Sequence, residues 1–280
     1  MDKKLDIKQQ GRFAVVGNPI AHSMSPSIHQ SFARQFGLQL SYEKILAEKN
    51  NFNEIVTTFF QQGGHGLNIT TPFKSMAAEY AKKCSVFARS CNSVNTLYRD
   101  KSGAIRGDST DGRGWLSDIS RLNIDLRNKN VLIMGAGGAA RIILNALLDK
   151  PVKSIHICNR TEHRASDLLV ATENRLTASN LAEIPDTKWD LIINSLSVGW
   201  HGKFPDIQIQ LNEHCTAYDL NYGQGAKPFK EWFLDLGGKR SAFYDGWGML
   251  VEQAAESFYI WWQMRPETAE MIKSGKPSTT

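Results

Sequence analysis

One stretch limits the possible folds of this chain more than any other: Val131 to Arg164, VLIMGAGGAARIILNALLDKPVKSIHICNRTEHR. It opens as an apolar strand, Val131 to Met134, and turns on Gly135, Gly137 and Gly138. A helical pattern follows (Ile142, Ile143, Ala146, Leu147), then a second strand from Ser154 to Cys158. Strand, glycine turn, helix and strand in that order make one mononucleotide-binding unit. Gly135 permits the tight turn out of the strand. Gly137 lets the backbone approach a pyrophosphate with no Cβ in the way, and Ala140 is small enough for close helix–sheet packing. Gly135, Gly137 and Gly138 therefore mark the candidate pyrophosphate loop, with the N–H groups of the helix start favouring the anion.

The end of the second strand selects the nucleotide. NAD sites place an Asp or Glu there to bind the ribose 2′-OH. This chain has Asn159, Arg160 and Thr161, then Arg164. Two guanidinium groups and a hydroxyl suit a 2′-phosphate, so the reading is NADP. A solvated basic turn is the plain alternative, weakened by its place about twenty residues past the glycines, where the motif carries its ribose reader.

At 280 residues about two domains are expected. Hydrophobic residues make up 41 %, enough for real cores, and the net charge of +5 comes from scattered Lys and Arg rather than a stripe suited to nucleic acid. The four cysteines (84, 91, 158, 215) have no CxxC or Cys/His ligand spacing. A reduced, cytoplasmic protein without metal is expected. The polar N-terminus has no signal-type apolar core, and no run is long enough to cross a bilayer.

The N-terminal half alternates strand and helix: strands at 13–16, 40–46 and 66–69, helices at 26–35, 53–61 and from Pro72, and a hairpin over 94–106. A helix at 112–121 leads into the nucleotide unit. Later strands are expected at 191–194 and 217–220, a loop at 199–210, and a helix from Gly248 to about Met264 with Leu250, Val251, Ala254, Phe258 and Trp261 on one face. The tail from Lys273 has a composition that favours disorder.

Four polar clusters interrupt the N-terminal half: His22 to Pro26, Asn68 to Lys74, Asn92 to Thr96, and Gly107 to Gly112. Each falls at a strand end or helix start, where α/β sheets place ligands. Each also has a plain structural use. Ser25 before Pro26 and Thr71 before Pro72 read as N-caps with Pro at N1, Asp111 as a cap, and Asn95 as a turn residue. Lys74 stands apart, because a cation in the first turn of a helix opposes the macrodipole and calls for a ligand or carboxylate partner.

The motifs GNPIAHSMSPSIH, GLNITTPFK, SVNTL, GDSTDGRG, MGAGGAAR, CNRTEHR and YDGWGMLVEQAA, in this order, resemble the NADP-dependent shikimate dehydrogenases over nearly the whole chain. The resemblance implies two α/β domains around a cleft: a substrate-binding domain at 1–110, completed by a returning C-terminal helix at 247–280, and a Rossmann-type, doubly wound NADP domain at 111–246. It also implies residue roles. Lys74 and Asp111 would be catalytic. Ser23 and Ser25 would hold the substrate carboxylate with Tyr222 near it, while Thr70, Asn95 and Gln253 would bind ring hydroxyls. Gly135, Ala136, Gly137, Gly138 and Ala139 would form the pyrophosphate loop, Asn159, Arg160, Thr161 and Arg164 would take the 2′-phosphate, and Leu220 and Gly246 would lie beside the nicotinamide. The implied activity is reversible reduction of 3-dehydroshikimate in aromatic amino-acid synthesis, by a monomer or homodimer.

The chain departs from the family at Asn92, where Gly is usual, at Ser109 for Asn, and at Thr71 for Val. Asn tolerates a positive φ, so Asn92 can keep the turn. Three other readings are open. One is the sister branch acting on quinate, often with NAD, which Ser25 and the Asn159-Arg160-Thr161 turn disfavour. A second is a non-catalytic nucleotide sensor, disfavoured by the Lys74/Asp111 pair. A third is a dehydrogenase sharing only the Rossmann half, disfavoured by the N-terminal motifs.

Overall fold

A computed structural model describes residues 10–170, 173–197 and 204–275. The chain divides into two compact units. The first comprises the chain up to Gly114 together with Val251–Lys273, and the second is Trp115–Leu250 with the residues from Ser274. Asp111–Gly114 thus group with the first unit and Trp247–Leu250 with the second.

The first unit is built from β1 (Gln10–Gly17), α1 (Ser25–Gln35), β2 (Gln39–Leu46), α2 (Phe52–Gln61), β3 (Gly66–Ile69), α3 (Lys74–Tyr80), β4 (Lys83–Cys84), α4 (Val86–Cys91), β5 (Thr96–Arg99), β6 (Ile105–Asp108) and the start of α5 (Asp111–Arg121). The sheet runs β2-β1-β3-β5-β6-β4. β1 pairs parallel with β2 and β3, and β5 runs antiparallel between β3 and β6. The β5–β6 pair is the expected hairpin. Its direction brings the end of β3, the start of β5 and the end of β6 to one edge of the sheet, and the polar clusters sit there. β3 and the second half of β1 are buried on both faces, as parallel strands covered by helices are. Phe52, Phe59, Phe60, Phe73 and Leu67 form the main core of this unit.

The second unit contains β7 (Asn130–Met134), α6 (Gly138–Leu148), β8 (Ser154–Asn159), α7 (Glu162–Ser166), β9 (Leu176–Asn180), β10 (Lys188–Asn194), β11 (Gln210–Asp219), α8 (Lys227–Asp235) and β12 (Phe243–Tyr244). All its strands pair parallel, in the order β12-β11-β10-β7-β8-β9. That is the doubly wound dinucleotide-binding order, with its switch point between β7 and β10. α6 buries Ala140, Ile142, Ile143, Leu144, Ala146 and Leu147 against the sheet. The last long helix, α9 (Trp247–Trp262), begins in this unit and continues in the first, followed by α10 (Ala269–Ser274).

Several local expectations are corrected. α1 begins at Ser25 itself, with Met24 at the N-cap, so Ser25 is not a cap. The Thr71–Pro72 peptide is cis and α3 starts only at Lys74, so Thr71 is not a cap either. The C-terminal helix is not buried on one face alone. Val251 to Phe258 are all buried, including Glu252, Gln253, Glu256 and Ser257. Of the expected loop at 199–210, residues 204–209 have no regular structure, Gln210 opens β11, and 199–203 lie outside the described residues. Most of the tail, 276–280, also lies outside them.

Candidate active site

Lys74 is the first residue of α3 and Asp111 the first of α5. The Lys74 Nζ donates to Asp111 Oδ2 at 2.7 Å. The carboxylate partner that the position of Lys74 calls for is therefore present. It compensates a cation placed against the N-terminal end of the helix dipole. Asp111 is buried, whereas the Lys74 side chain keeps 30 % of its surface exposed, enough to exchange protons with water.

The other oxygen of Asp111 accepts from Asn95 Nδ2 at 2.9 Å. The same nitrogen lies 2.8 Å from Thr110 Oγ1 and 3.1 Å from Gln253 Oε1. Asn95 Oδ1 accepts from the Thr110 N–H at 2.8 Å and from Thr96 Oγ1 at 3.0 Å. With both Asp111 oxygens and both ends of the Asn95 amide engaged, neither residue is merely a cap or a turn former.

Behind these groups the network continues through Asn68, which the sequence reading placed in a polar cluster without a role, and through Tyr42 and Ser257, which it did not single out. Asn68 Nδ2 donates to Ser257 Oγ at 3.0 Å and to the Asn95 carbonyl at 3.2 Å, and Asn68 Oδ1 accepts from Tyr42 Oη at 2.6 Å. Ser257 Oγ lies 2.8 Å from Thr96 Oγ1 and 3.2 Å from Thr110 Oγ1. A satisfied buried network of this kind fixes its members and makes a half-satisfied variant costly. Burial raises the Tyr42 pKa well above its usual value and lowers that of His29, stacked on it at 4.8 Å, to about 3, so both rings are neutral. The detectable signal for Asn68 was a polar residue in the middle of a short, wholly buried strand. Tyr42 and Ser257 had no such signal.

The other predicted substrate residues are placed as follows. Ser23 and Ser25 come together, with Ser23 Oγ donating to Ser25 Oγ at 3.3 Å. Thr70 follows β3, its N–H on the Val16 carbonyl at 2.9 Å, and its methyl fills the space a Cβ on Gly17 would need. Gln253 belongs to the first unit with Lys74, Asp111 and Asn95, and Tyr222 to the second, where its ring lies 6.2 Å from that of Trp247. Asn92 adopts φ 46°, the left-handed conformation that its place in the motif requires. Ser109 is fully buried, and its hydroxyl has no hydrogen-bond partner among the described residues.

In the second unit, Gly135 has φ +109°, and a Cβ there would stand 2.4 Å from Ser195 Oγ. At Gly137 and Gly138 a Cβ would meet nothing within 4 Å. Packing inside the protein does not demand glycine at those two positions, so the open backbone, with Ala136 and Ala139 on either side, fits a pyrophosphate at the start of α6. At the end of β8, Asn159 Nδ2 holds the Thr161 carbonyl at 2.9 Å. Arg160 and Arg164 are exposed and form no ion pair among the described residues, which suits a 2′-phosphate. Leu220 and Gly246 are brought into contact: a Cβ on Gly246 would lie 2.5 Å from the Leu220 carbonyl oxygen.

Comparison with known proteins identifies the family. Family models match in three segments: the shikimate dehydrogenase substrate binding domain at 15–97, shikimate / quinate 5-dehydrogenase at 118–198, and the shikimate 5′-dehydrogenase C-terminal domain at 246–274. The shikimate dehydrogenase (NADP(+)) of Vibrio atlanticus (strain LGP32) is 39 % identical over 269 residues, covering 95 % of this chain and 96 % of its own. The chain belongs to the shikimate dehydrogenase family. An Ael1 enzyme from Pseudomonas putida superposes with a TM-score of 0.87 at 36 % identity, covering 94 % of this chain and 97 % of that one. The family member shikimate 5-dehydrogenase from Thermus thermophilus, solved in complex with NADP(H) and shikimate, gives 0.77 at 27 % identity, covering 94 % and 98 %.

Proposed function

We infer that the chain is an NADP-dependent shikimate dehydrogenase, reversibly reducing 3-dehydroshikimate to shikimate in aromatic amino-acid (chorismate) synthesis. One observation carries the reading: an ammonium group, Lys74, held 2.7 Å from a buried carboxylate in the substrate motif of this family. A ketone reduction needs one proton delivered to the oxygen as a hydride reaches the carbon, and a positioned amine is suited to supply it.

NADPH, when bound, supplies the hydride. Lys74 donates its proton from Nζ to the oxygen at C3 as negative charge grows there, and takes a proton back from water. Asp111 orients Nζ and accepts from a neighbouring substrate hydroxyl, so the developing alkoxide meets a fixed donor. Asn95, Thr70 and Gln253 bind ring hydroxyls, and Ser23 and Ser25 hold the carboxylate. The first unit is thus assigned as the substrate-binding domain and the second as the NADP domain. Gly135 to Ala139 would hold the pyrophosphate, Asn159, Arg160, Thr161 and Arg164 the 2′-phosphate, and Leu220 and Gly246 the nicotinamide end. The protein works as a monomer or homodimer in the cytoplasm, a compartment suited to its four free cysteines.

Purified protein offered shikimate or quinate with NADP or NAD, in four combinations, tests this reading through the absorbance of reduced nicotinamide. Fast reduction with shikimate and NADP, and slow reduction with the other pairs, is the expected result. Faster turnover of quinate with NAD would move the chain to the sister branch. No turnover in any combination, with NADP still bound, would make it a sensor.

A further inference from the structure

Asp219, the last residue of β11, is 0 % exposed, and the proton transfer described above does not use it. A fully buried carboxyl is costly unless its oxygens are engaged. Here a single oxygen, Oδ1, accepts three hydrogen bonds, each of 2.9 Å: from Asn194 Nδ2 and from the backbone N–H and Nδ2 of Asn221. The other oxygen has no partner among the described residues.

The partners close a ring. Asn194 Oδ1 accepts from the Leu196 N–H at 3.0 Å, and Asn221 Nδ2 also reaches the Leu196 carbonyl at 3.0 Å. Neighbouring segments are tied to this ring. Ser195 donates from its N–H and its hydroxyl to the Met134 carbonyl at the end of β7, at 2.8 and 2.9 Å. The Gly246 N–H donates to the Asn221 carbonyl at 2.9 Å, and the Leu220 N–H to the Asn194 carbonyl at 2.9 Å. One carboxyl oxygen therefore ties Asn194 at the end of β10 to Asn221 just after β11 and, through Asn221, reaches the glycine before α9. In a doubly wound sheet, the ligand lies outside the carboxyl ends of the strands flanking the switch point, which here are β7 and β10.

We propose that Asp219 is a positioning residue of the reaction: its Oδ1 locks Ser195–Leu196, just after β10, and Leu220–Tyr222, just after β11, into the shape that receives the nicotinamide half of the cofactor. The proposal rests on the NADP-dependent reading above. Asp219 touches neither hydride nor substrate. It acts through Asn194 and Asn221, which set the backbone at Leu196 and at Leu220 to Tyr222. The adenosine end binds at other loops, after β7 and β8, and the Ser195–Met134 bonds at the end of β7 do not pass through Asp219, so loosening the ring separates the two halves of the cofactor.

The test is Asp219→Ala against Asp219→Asn, with binding of NADP and of adenosine 2′,5′-bisphosphate measured by calorimetry alongside turnover. Asp219→Ala should weaken NADP by about tenfold or more and lower kcat, while the bisphosphate, which lacks a nicotinamide, stays within about twofold. Asp219→Asn keeps an oxygen for the three donors and should restore NADP binding and kcat to within about threefold of the native protein. Parallel weakening of both ligands would mean a merely structural role and would overturn the proposal, as would unchanged NADP binding in Asp219→Ala. If that variant does not fold, Asn194→Ala and Asn221→Ala each break the ring and should show the same split in smaller measure. The native protein's turnover with shikimate is read separately, so failure of the functional reading is distinguishable from failure of this one.

Discussion

Substitution of a single proposed binding side chain isolates its task where that side chain has no other partner. Arg160 is exposed and without an ion pair among the described residues, so its loss should cost affinity and little stability. Arg160→Ala should raise the KM for NADP by about tenfold or more, the worth of a charge-assisted contact, and leave that for NAD nearly unchanged. Steady-state kinetics with both cofactors checks this. The carboxylate partner of Lys74 and the tight turn at Gly135 were legible in the sequence because each sits in a short motif whose chemistry is local. Asn68, Thr110, Tyr42 and Ser257 were not named as site residues, because they act through partners up to 189 residues away, as in the bond from Asn68 to Ser257. Nothing near Ser257 in the sequence distinguishes it from a small residue on a packed helix.

Between elements, two kinds of glycine make opposite predictions. Gly114, on α5, allows close approach to α9: a Cβ there would lie 2.5 Å from the Gln253 nitrogen and 2.6 Å from its Cβ. Gly114→Ala should destabilise by about 1–3 kcal/mol through overpacking and displace Gln253, seen as a lower Tm with a raised KM for shikimate. Gly137 faces open space. Gly137→Ala should cost under about 1 kcal/mol of stability, yet weaken NADP by intruding where the anion approaches. Thermal melts without cofactor, set against NADP titrations, separate the two. The elements with strong periodicity, such as β7, α6 and the α9 core, were legible. β9 was missed because LTASN is short and mostly polar. The first half of β11, QLNEH, was hidden for the same reason, and β4 and α4 are too brief to carry a period.

For the whole molecule, buried titratable groups set the response to acid. Burial lowers the pKa of His29 to about 3 and that of His156 to about 4, both from 6.5. The stability each contributes is present above 6.5 and is lost as pH falls through the folded values. Burial raises the Asp219 pKa from 3.8 to about 7, so its contribution has the opposite sign: full below 3.8 and lost as pH rises through about 7. Between 6.5 and about 4 the two histidines outweigh the one carboxyl, so stability should fall on acidification by on the order of 1 kcal/mol per pH unit. In Asp219→Asn the opposing contribution is gone, so its decline should be steeper, with its stability relative to the native protein improving from pH 4 towards 7. Tm measured across that range checks both slopes. The doubly wound order of the second sheet was legible from its glycine turn. The antiparallel β5 inside the first sheet showed only as a hairpin, because strand order depends on contacts that local pattern does not encode.

The central claim is that Lys74, held by Asp111, delivers the proton. The most direct test is Lys74→Ala, with single-turnover reduction of 3-dehydroshikimate measured beside shikimate affinity. The account predicts kcat down by about a thousandfold with affinity kept within about fivefold, as for removal of a general acid that contributes little to ground-state binding. Near-native turnover in that variant would contradict it.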